Sequence, residues 1–494
     1  MMGQLPLGCP RKAHIAPLKD MTLPESSAAL PTTSQATQRA KLVDAASMAA
    51  YLLVASVVLS WVALFNGAPL VFADTISYST AAFQREVSGL FSIFYSIFIL
   101  ALHQGATFWL VVFVQSAILA HLLYLTARTV TRGSIRKHDV LLILAVLAVF
   151  SSLPWVSGEM LPDVFAPIVL LGVFLLAFAE GGLSRVEMVY VSALTAFAIA
   201  THLSHVPIAA GSILLCIVLR VLFLRRVTHI GRWIASLALP LVLATSSMIA
   251  VNVLSSHKFV LARHSNVFLL AKWIDEGPAL SYLREACPDS GYALCEYLRE
   301  LEGKSHDELK WAGNSPFNKV GTFDELEPEA RNIVRGTLYS HPYEILRHAV
   351  IGAGRQLIEF QAGDGLTSEF ARWVGEHVAK IYGAEVGRPF LESKQEQGLL
   401  PIPAFRYLHL VGLAIGAGLC CWFWVQRRVH TLELRLLNTF VFAGIVWNAV
   451  VTGALSAPYD RYQARVIWLV CFVALLSLFS LKRLRIEPSS GQAA

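Results

Sequence analysis

An acidic residue next to a long apolar run is the first feature that could support chemistry. The stretch 72–78 begins a few residues after that run ends, and Asp74 is its only acid. An aspartate at such a boundary often caps the next helix, which is one interpretation of Asp74. The other is a general base or metal ligand at the membrane surface, where a low dielectric raises the pKa of a carboxyl group. Tyr78, in the same stretch, is a candidate for substrate binding.

Two more acids, Glu159 and Asp163, flank the dipeptide Leu161-Pro162 between two apolar runs. They share one helical face only if Pro162 lies in the first turn of the following helix. In one interpretation Asp163 caps that helix and Glu159 is solvated. In the other, the two carboxylates orient an acceptor or bind a divalent cation.

Two histidines, His202 and His205, lie three residues apart, just before Pro207 interrupts the apolar sequence. Imidazoles at such a break could contact phosphate, transfer a proton or bind a metal ion. They could equally be interfacial side chains that hydrogen-bond the interrupted backbone.

Two arginines, Arg461 and Arg465, lie one helical turn apart before the last apolar run. Arginine grips phosphate and carboxylate through paired N–H groups, so both are candidate phosphate-binding residues. The alternative is a structural pair with Asp460 or with a lipid headgroup. Arg263 is a similar candidate after an earlier run.

The elements that must position these residues are membrane helices. Of the 494 residues, 55% are hydrophobic and 15% are charged, whereas soluble proteins carry about a quarter charged residues. Runs of 18 or more nearly uncharged residues can each cross the hydrocarbon core as a helix. We therefore predict an all-α polytopic membrane protein. Its ten predicted spans are at about 44–66, 106–127, 139–156, 163–180, 187–204, 207–224, 233–253, 405–425, 436–455 and 464–481.

Charge gives the predicted topology. Residues 255–400 carry 16 Lys and Arg against 21 Asp and Glu, whereas the rest of the chain carries 24 against 13. The basic residues collect in short connections around 128–137, 220–232, 427–435 and 482–485, which the positive-inside rule places in the cytoplasm. This pattern indicates topology and not a nucleic-acid partner. All the candidate residues above then fall on the outer side.

The predicted organisation has five parts. Residues 1–40 are a disordered cytoplasmic tail, and 41–253 form a membrane core of seven spans. Residues 254–402 form a mostly helical extracytoplasmic domain, 403–483 form the last three spans, and 484–494 are a cytoplasmic tail. Within the core, the outer loop 67–105 includes the apolar residues 90–102, which are too short to span and predict an interfacial or re-entrant helix.

The hydrophilic segment 254–402 shows helical spacing of apolar residues at 279–302 and 342–361. Cys287 and Cys295 are its only cysteines, and a disulfide between them is plausible if the segment is extracytoplasmic. The chain has no P-loop, GxGxxG, HExxH or GxSxG motif, which argues against ATP-driven or dinucleotide chemistry.

The pattern resembles the GT-C superfamily, the integral-membrane glycosyltransferases that use polyprenyl-phosphate sugars. It is similar to the branch of protein O-mannosyltransferases and aminoarabinose transferases. In that branch an acid follows the first span, as Asp74 does, and a later short loop carries another, as in Leu-Pro-Asp163. An Arg-Tyr precedes the final span, like Arg461-Tyr462. Departures are Thr75, where many members have a second acid, and the absence of the lysine expected between Thr201 and Pro207.

The resemblance implies a bacterial inner-membrane enzyme with both termini cytoplasmic and a periplasmic active face. Asp74 would deprotonate the acceptor hydroxyl. The arginines and histidines would bind the donor phosphate, and Glu159 and Asp163 would orient the acceptor. The partners are a polyprenyl-phosphate-linked sugar and membrane lipids, and the one cofactor considered is a divalent cation, as the alternative to acceptor orientation by Glu159 and Asp163. The alternatives are a transporter or flippase for a lipid-linked or anionic solute, and a non-enzymatic membrane assembly protein.

Overall fold

The computed structural model describes residues 33–179, 181–224, 230–426 and 431–486. Most of the predicted N-terminal tail lies outside these residues, as do the basic connections 225–229 and 427–430 and the end of the C-terminal tail. The prediction that residues 1–40 are disordered is wrong for residues 33–40, which form the beginning of α1. The chain divides after Met48, and all the elements described below belong to the unit from Ala49 onward, apart from the beginning of α1.

All the regular elements in the described residues are helices, and the only β-type pairing is an isolated parallel bridge between Leu70 and Glu159. The fold is therefore all-α, as predicted. The helices before the hydrophilic segment are α1 Thr33–Leu59, α2 Trp61–Asn66, α3 Thr75–Gln84, α4 Ile93–His103, α5 Trp109–Val130, α6 Lys137–Phe150, α7 Leu153–Ser157, the 3₁₀ helix Pro162–Val164, α8 Phe165–Phe178, α9 Arg185–Ala200, α10 His205–Leu224 and α11 Ile230–Ser256.

Helix length separates the spans from shorter apolar helices. Within the described residues, seven helices are long and apolar enough to cross a membrane, consistent with a polytopic membrane protein. They are Lys41–Leu59, Trp109–Val130, His205–Leu224, Ile230–Ser256, Ile402–Val425, Leu432–Leu455 and Asp460–Leu481. The other three predicted spans, 139–156, 163–180 and 187–204, correspond to helices that are too short by this measure.

Local structure explains the lengths of two of these helices, α6 and α8. After α6, Ser151 is extended and Ser152 is the N-cap of the separate short helix α7, which has Pro154 in its first turn. Helix α8 is buried on every side, so its apolar surface contacts protein and needs no fixed membrane length. As predicted, the apolar stretch 90–102 forms a helix that is too short to be a span, α4.

The hydrophilic segment is a set of short helices around its own apolar core. They are α12 Ser265–Asp275, α13 Pro278–Ser290, the 3₁₀ helix Ala293–Tyr297, α14 Leu298–Leu301, α15 His306–Trp311, α16 Pro316–Val320, α17 Phe323–Ser340, α18 Pro342–Ile358, α19 Ser368–Tyr382 and α20 Ala384–Leu391. Val267, Leu283, Phe317 and Ile333 are among the fully buried members of the core. Cys287 and Cys295 form a disulfide that links the end of α13 to the next turn.

The last helices are α21 Ile402–Val425, α22 Leu432–Leu455, α23 Asp460–Ile467 and α24 Leu469–Ile486. Helix α18 of the hydrophilic segment packs against α22. Gly352 and Gly453 meet at this contact, where a Cβ atom on Gly352 would lie 2.3 Å from the carbonyl oxygen of Gly453. The glycines thus let the hydrophilic segment approach the membrane helices backbone to backbone.

Candidate functional site

Asp74 precedes a helix but does not cap it. Helix α3 begins at Thr75, and the Asp74 side chain makes no capping hydrogen bond. Instead its Oδ2 atom lies 3.4 Å from Nη1 of Arg461. The structure therefore does not support the capping interpretation of Asp74.

The loop that carries Asp74 is held against the second acidic loop. The amide of Leu70 donates to the carbonyl of Gly158, and the amide of Met160 donates to the carbonyl of Leu70, both at 2.9 Å. These bonds form the isolated bridge noted above and bring the two acidic loops together, as the functional interpretation requires.

Arg461 reaches Asp74 across a surface of aromatic rings. Its guanidinium lies 4.1 Å from the ring centroid of Phe72 and 4.9 Å from that of Tyr462. Such cation–π contacts hold the flat guanidinium in place while leaving its N–H groups able to bind an anion. The side chains of Asp74 and Arg461 are 25% and 16% exposed. We call this ion pair the accessible pair.

A second ion pair lies deeper. Arg465 donates to Asp163 at 3.0 Å, and its side chain has no exposed surface. It also donates to Asn448 at 3.0 Å and to Ser204 at 3.2 Å. Asp163 therefore does not act as a free helix cap, and Arg465 is committed to protein partners. We call this ion pair the buried pair.

Glu159 is buried beside these pairs. Its Oε1 atom is buried and has no hydrogen-bond partner in the described part of the chain. Burial, and then the nearby charge of Asp163, raise the pKa of Glu159 well above its usual range. The interpretation in which Glu159 is solvated is therefore wrong.

The charge state of Asp74 is set by opposing effects. Burial raises the pKa of Asp74 above its usual range, and the positive charge of Arg461 offsets part of that rise. A raised carboxyl pKa is what the general-base interpretation of Asp74 assumed.

The two histidines occupy different environments. His202 is partly buried, and its Nδ1 lies 2.8 Å from the hydroxyl of Ser204, which links it to Arg465 of the buried pair. His205 is fully buried, and its Nδ1 lies 2.7 Å from the carbonyl of Ala198. His205 thus matches the structural alternative, an imidazole that hydrogen-bonds the interrupted backbone, whereas His202 remains near the site.

The two other candidate binding residues are Tyr78, whose amide donates to the carbonyl of Asp74 at 3.2 Å, and Arg263. Tyr78 is buried, and its ring packs against Tyr95 at 5.4 Å and Phe91 at 5.1 Å. Arg263 donates to the carbonyl of Val87 and lines a separate small depression with Leu203 and Asn252. The structure does not bring Arg263 into contact with either ion pair.

The acids do not form a divalent-cation site. Asp163 is already neutralised by Arg465, and no group of three potential ligands occurs among the described residues. A hard cation in a protein needs several oxygen ligands. We therefore assign no step of the chemistry to a metal ion.

The hydrophilic segment covers the accessible pair. The backbone amide of Arg461 donates to Asp364 at 3.2 Å. Two residues earlier, the Tyr459 hydroxyl donates to Asp307 and lies 2.8 Å from Nε2 of His306. Sequence analysis missed these contacts because each involves an ordinary polar residue of a hydrophilic segment. Only Asp364, in a Gly-Asp-Gly turn, had a local signal.

Comparison of the chain with protein-family models, with curated proteins and with solved structures gives no match. The function must therefore be argued from the geometry of the site.

Proposed function

We propose that this protein is a membrane glycosyltransferase that moves a sugar from a polyprenyl-phosphate donor to an acceptor hydroxyl. The observation that carries the proposal is the accessible pair. A partly exposed carboxylate just before α3 and a partly exposed guanidinium in the first turn of the span Asp460–Leu481 lie 3.4 Å apart. Such a pair supplies both a base and a phosphate-binding group.

Each member of the pair has one role. Asp74 takes the proton of the acceptor hydroxyl as its oxygen forms a bond to the anomeric carbon of the sugar. The bond between that carbon and the phosphate oxygen breaks, and the electron pair leaves with polyprenyl phosphate. Arg461 stabilises the charge that develops on the phosphate. Donor binding to Arg461 also frees Asp74 from its ion pair.

The buried groups position the residues around the accessible pair. Arg465 holds Asp163 and, through Ser204, orients His202 toward the site. Glu159, whose pKa is raised by burial and by the charge of Asp163, orients the acceptor. This assignment departs from the sequence-based prediction for Arg465, because a fully buried guanidinium with three protein partners cannot also bind a donor phosphate.

The proposal includes the fold and the orientation. The three short helices complete ten crossings of a GT-C-like bundle in a bacterial inner membrane, with the site on the periplasmic face and both termini cytoplasmic. Two ion pairs support a common basic end of the bundle: Arg128 lies 2.9 Å from Glu187, and Arg132 lies 2.9 Å from Glu433. The site residues lie toward the other ends of the same helices.

Binding of a short polyprenyl phosphate tests the proposal. Farnesyl phosphate should bind the purified protein in detergent, whereas farnesol, which lacks the phosphate, should bind much more weakly. Arg461→Gln should weaken farnesyl phosphate binding by about tenfold or more, since a charge-assisted contact contributes roughly 1.5–3 kcal/mol. Arg435→Gln, at the other end of α22, is the matched control. Equal binding of the two ligands, or no effect of Arg461→Gln, would contradict the proposal.

A further inference from the structure

Two buried glutamines of the hydrophilic segment hold the two loops that carry the accessible pair. Gln395 is 1% exposed and binds the backbone of Val71, three residues before Asp74. The amide of Val71 donates to Gln395 Oε1 at 3.1 Å, and Gln395 Nε2 donates to the carbonyl of Val71 at 2.7 Å. One side chain thus satisfies both polar groups of one loop residue.

Gln356 makes the same arrangement on the other loop. It is fully buried near the end of α18 and binds the backbone of Tyr459, two residues before Arg461. The amide of Tyr459 donates to Gln356 Oε1 at 3.1 Å, and Gln356 Nε2 donates to the carbonyl of Tyr459 at 2.7 Å. The two loops are therefore held in the same way from the same segment.

These contacts are well suited to fixing a distance. A primary amide presents one donor and one acceptor in a fixed plane, which matches the donor and acceptor of a single backbone residue. Because the glutamines are buried, water cannot readily replace them, and their loss would leave backbone groups unpaired. Val71 lies in irregular backbone, and Tyr459 is the N-cap residue of α23, whose carbonyl also accepts from the amide of Tyr462 at 3.1 Å.

Other contacts tie the same loops to the same segment. Asp364 accepts a hydrogen bond from the amide of Arg461. Gly365 leaves room for the ring of Phe72, since a Cβ atom on residue 365 would lie 2.0 Å from that ring. The ring of Phe72 in turn makes the cation–π contact with the Arg461 guanidinium.

We propose that Gln356 and Gln395 are positioning residues that set the separation of Asp74 and Arg461. The hydrophilic segment is then a scaffold for the site and not only a surface on which an acceptor binds. The role of the accessible pair in sugar transfer rests on the proposed function. The positioning of Asp74 and Arg461 by the two glutamines does not, because it concerns geometry alone.

Cross-linking measures this positioning without a substrate. The reporter is the full chain carrying Asp74→Cys and Arg461→Cys, with the exposed Cys421 and also Cys9 replaced by serine. A short bifunctional methanethiosulfonate reagent is added in detergent, and the rate of intramolecular cross-linking is read by mass spectrometry. Gln356→Met and Gln395→Met are introduced singly, since methionine keeps the length of glutamine and removes both hydrogen bonds. Gln397→Met, two residues along on the exposed surface, is the matched control.

We expect each buried variant to slow cross-linking by about fivefold or more, the effect of losing roughly one net hydrogen bond. Gln397→Met should not change the rate, and the melting temperature of each variant shows that the protein remains folded. If the methionine variants do not fold, Gln356→Glu and Gln395→Glu replace them, since they lose the donor but keep an acceptor. Unchanged cross-linking in folded variants of both glutamines, or an equal loss in Gln397→Met, would overturn the inference. Failure of farnesyl phosphate binding would contradict the proposed function but leave this result intact.

Discussion

At the scale of single residues, the informative groups are charged side chains in apolar surroundings. Asp74, Glu159, Asp163, Arg461 and Arg465 could all be selected from sequence, because each is an ionisable residue next to a membrane helix and such residues are costly without a purpose. Their pairing could not be predicted, since Asp74 and Arg461 are separated by 387 positions in the chain. The division into an accessible and a buried pair is equally a property of packing.

The pH dependence of transfer follows from the accessible pair. A base must be ionised, so kcat/KM should rise with pH through the Asp74 pKa, which burial places above the usual aspartate range. Because the Arg461 charge lowers that pKa, Arg461→Gln should move the rise to higher pH and reduce kcat/KM by about 10²–10³-fold. Arg461→Lys keeps the charge and should leave the position of the rise nearly unchanged. A rise that stays in place or moves to lower pH in Arg461→Gln would contradict the assignment of Asp74.

The buried glutamines show the limit of sequence analysis at this scale. Gln356 and Gln395 are polar residues in a hydrophilic segment, where most glutamines are solvated, as Gln397 is. Nothing local to the sequence distinguishes them. Their role depends on two loops that come from distant parts of the chain.

At the scale of elements, the sequence pattern predicted where helices occur, but it did not predict the residues at which they end. The short helix α4 and the start of α18 at Pro342 agree with the sequence pattern. The predicted ends at 156, 180 and 204 lie beyond the ends of α6, α8 and α9, and after α6 the sequence continues into a connection that is buried by protein. Ser151 and the loop around Glu159 belong to this buried connection.

The contact between α18 and α22 gives a prediction at this scale. Gly352→Ala should destabilise the protein by about 1–3 kcal/mol, because the new Cβ atom would lie 2.3 Å from the carbonyl oxygen of Gly453. Gly354→Ala in the same helix meets no atom within 4 Å and should be neutral or stabilising by about 0.5–1 kcal/mol. Unfolding of the two variants in detergent is compared with that of the unmodified protein. Equal stabilities of Gly352→Ala and Gly354→Ala would show that the helices do not pack as described.

At the scale of the whole molecule, the distribution of charge predicts which end of the bundle faces the cytoplasm. Asn314→Cys places a thiol on the exposed surface of the hydrophilic segment, and Arg136→Cys places one in an exposed basic connection. With Cys9 and Cys421 both replaced by serine, a membrane-impermeant thiol reagent should label Asn314→Cys in intact spheroplasts and Arg136→Cys only after permeabilisation. The reverse pattern would place the site on the cytoplasmic face and contradict the proposed topology.

The placement of the hydrophilic segment explains how a chain of ordinary membrane helices acquires a site. The loops before α3 and α8 supply the acids, α23 supplies the arginines, and the segment inserted before α21 supplies the contacts that hold the loops of the accessible pair. Sequence composition predicts both parts. Their mutual arrangement depends on contacts such as the one between Gln395 and Val71, which lie 324 positions apart.

The central claim is that Asp74 acts in sugar transfer, and the most direct test is Asp74→Asn in the native host. Asparagine keeps the size of the side chain and cannot accept the proton, so transfer should fall by about 10²–10⁴-fold. Mass spectrometry of glycolipids and surface polysaccharides should then show one glycan lacking a single sugar, with the protein as abundant on an immunoblot as in Asp289→Asn, an exposed control. Glycans unchanged both in Asp74→Asn and in a full deletion would contradict the account, and transport would be the next activity to assay.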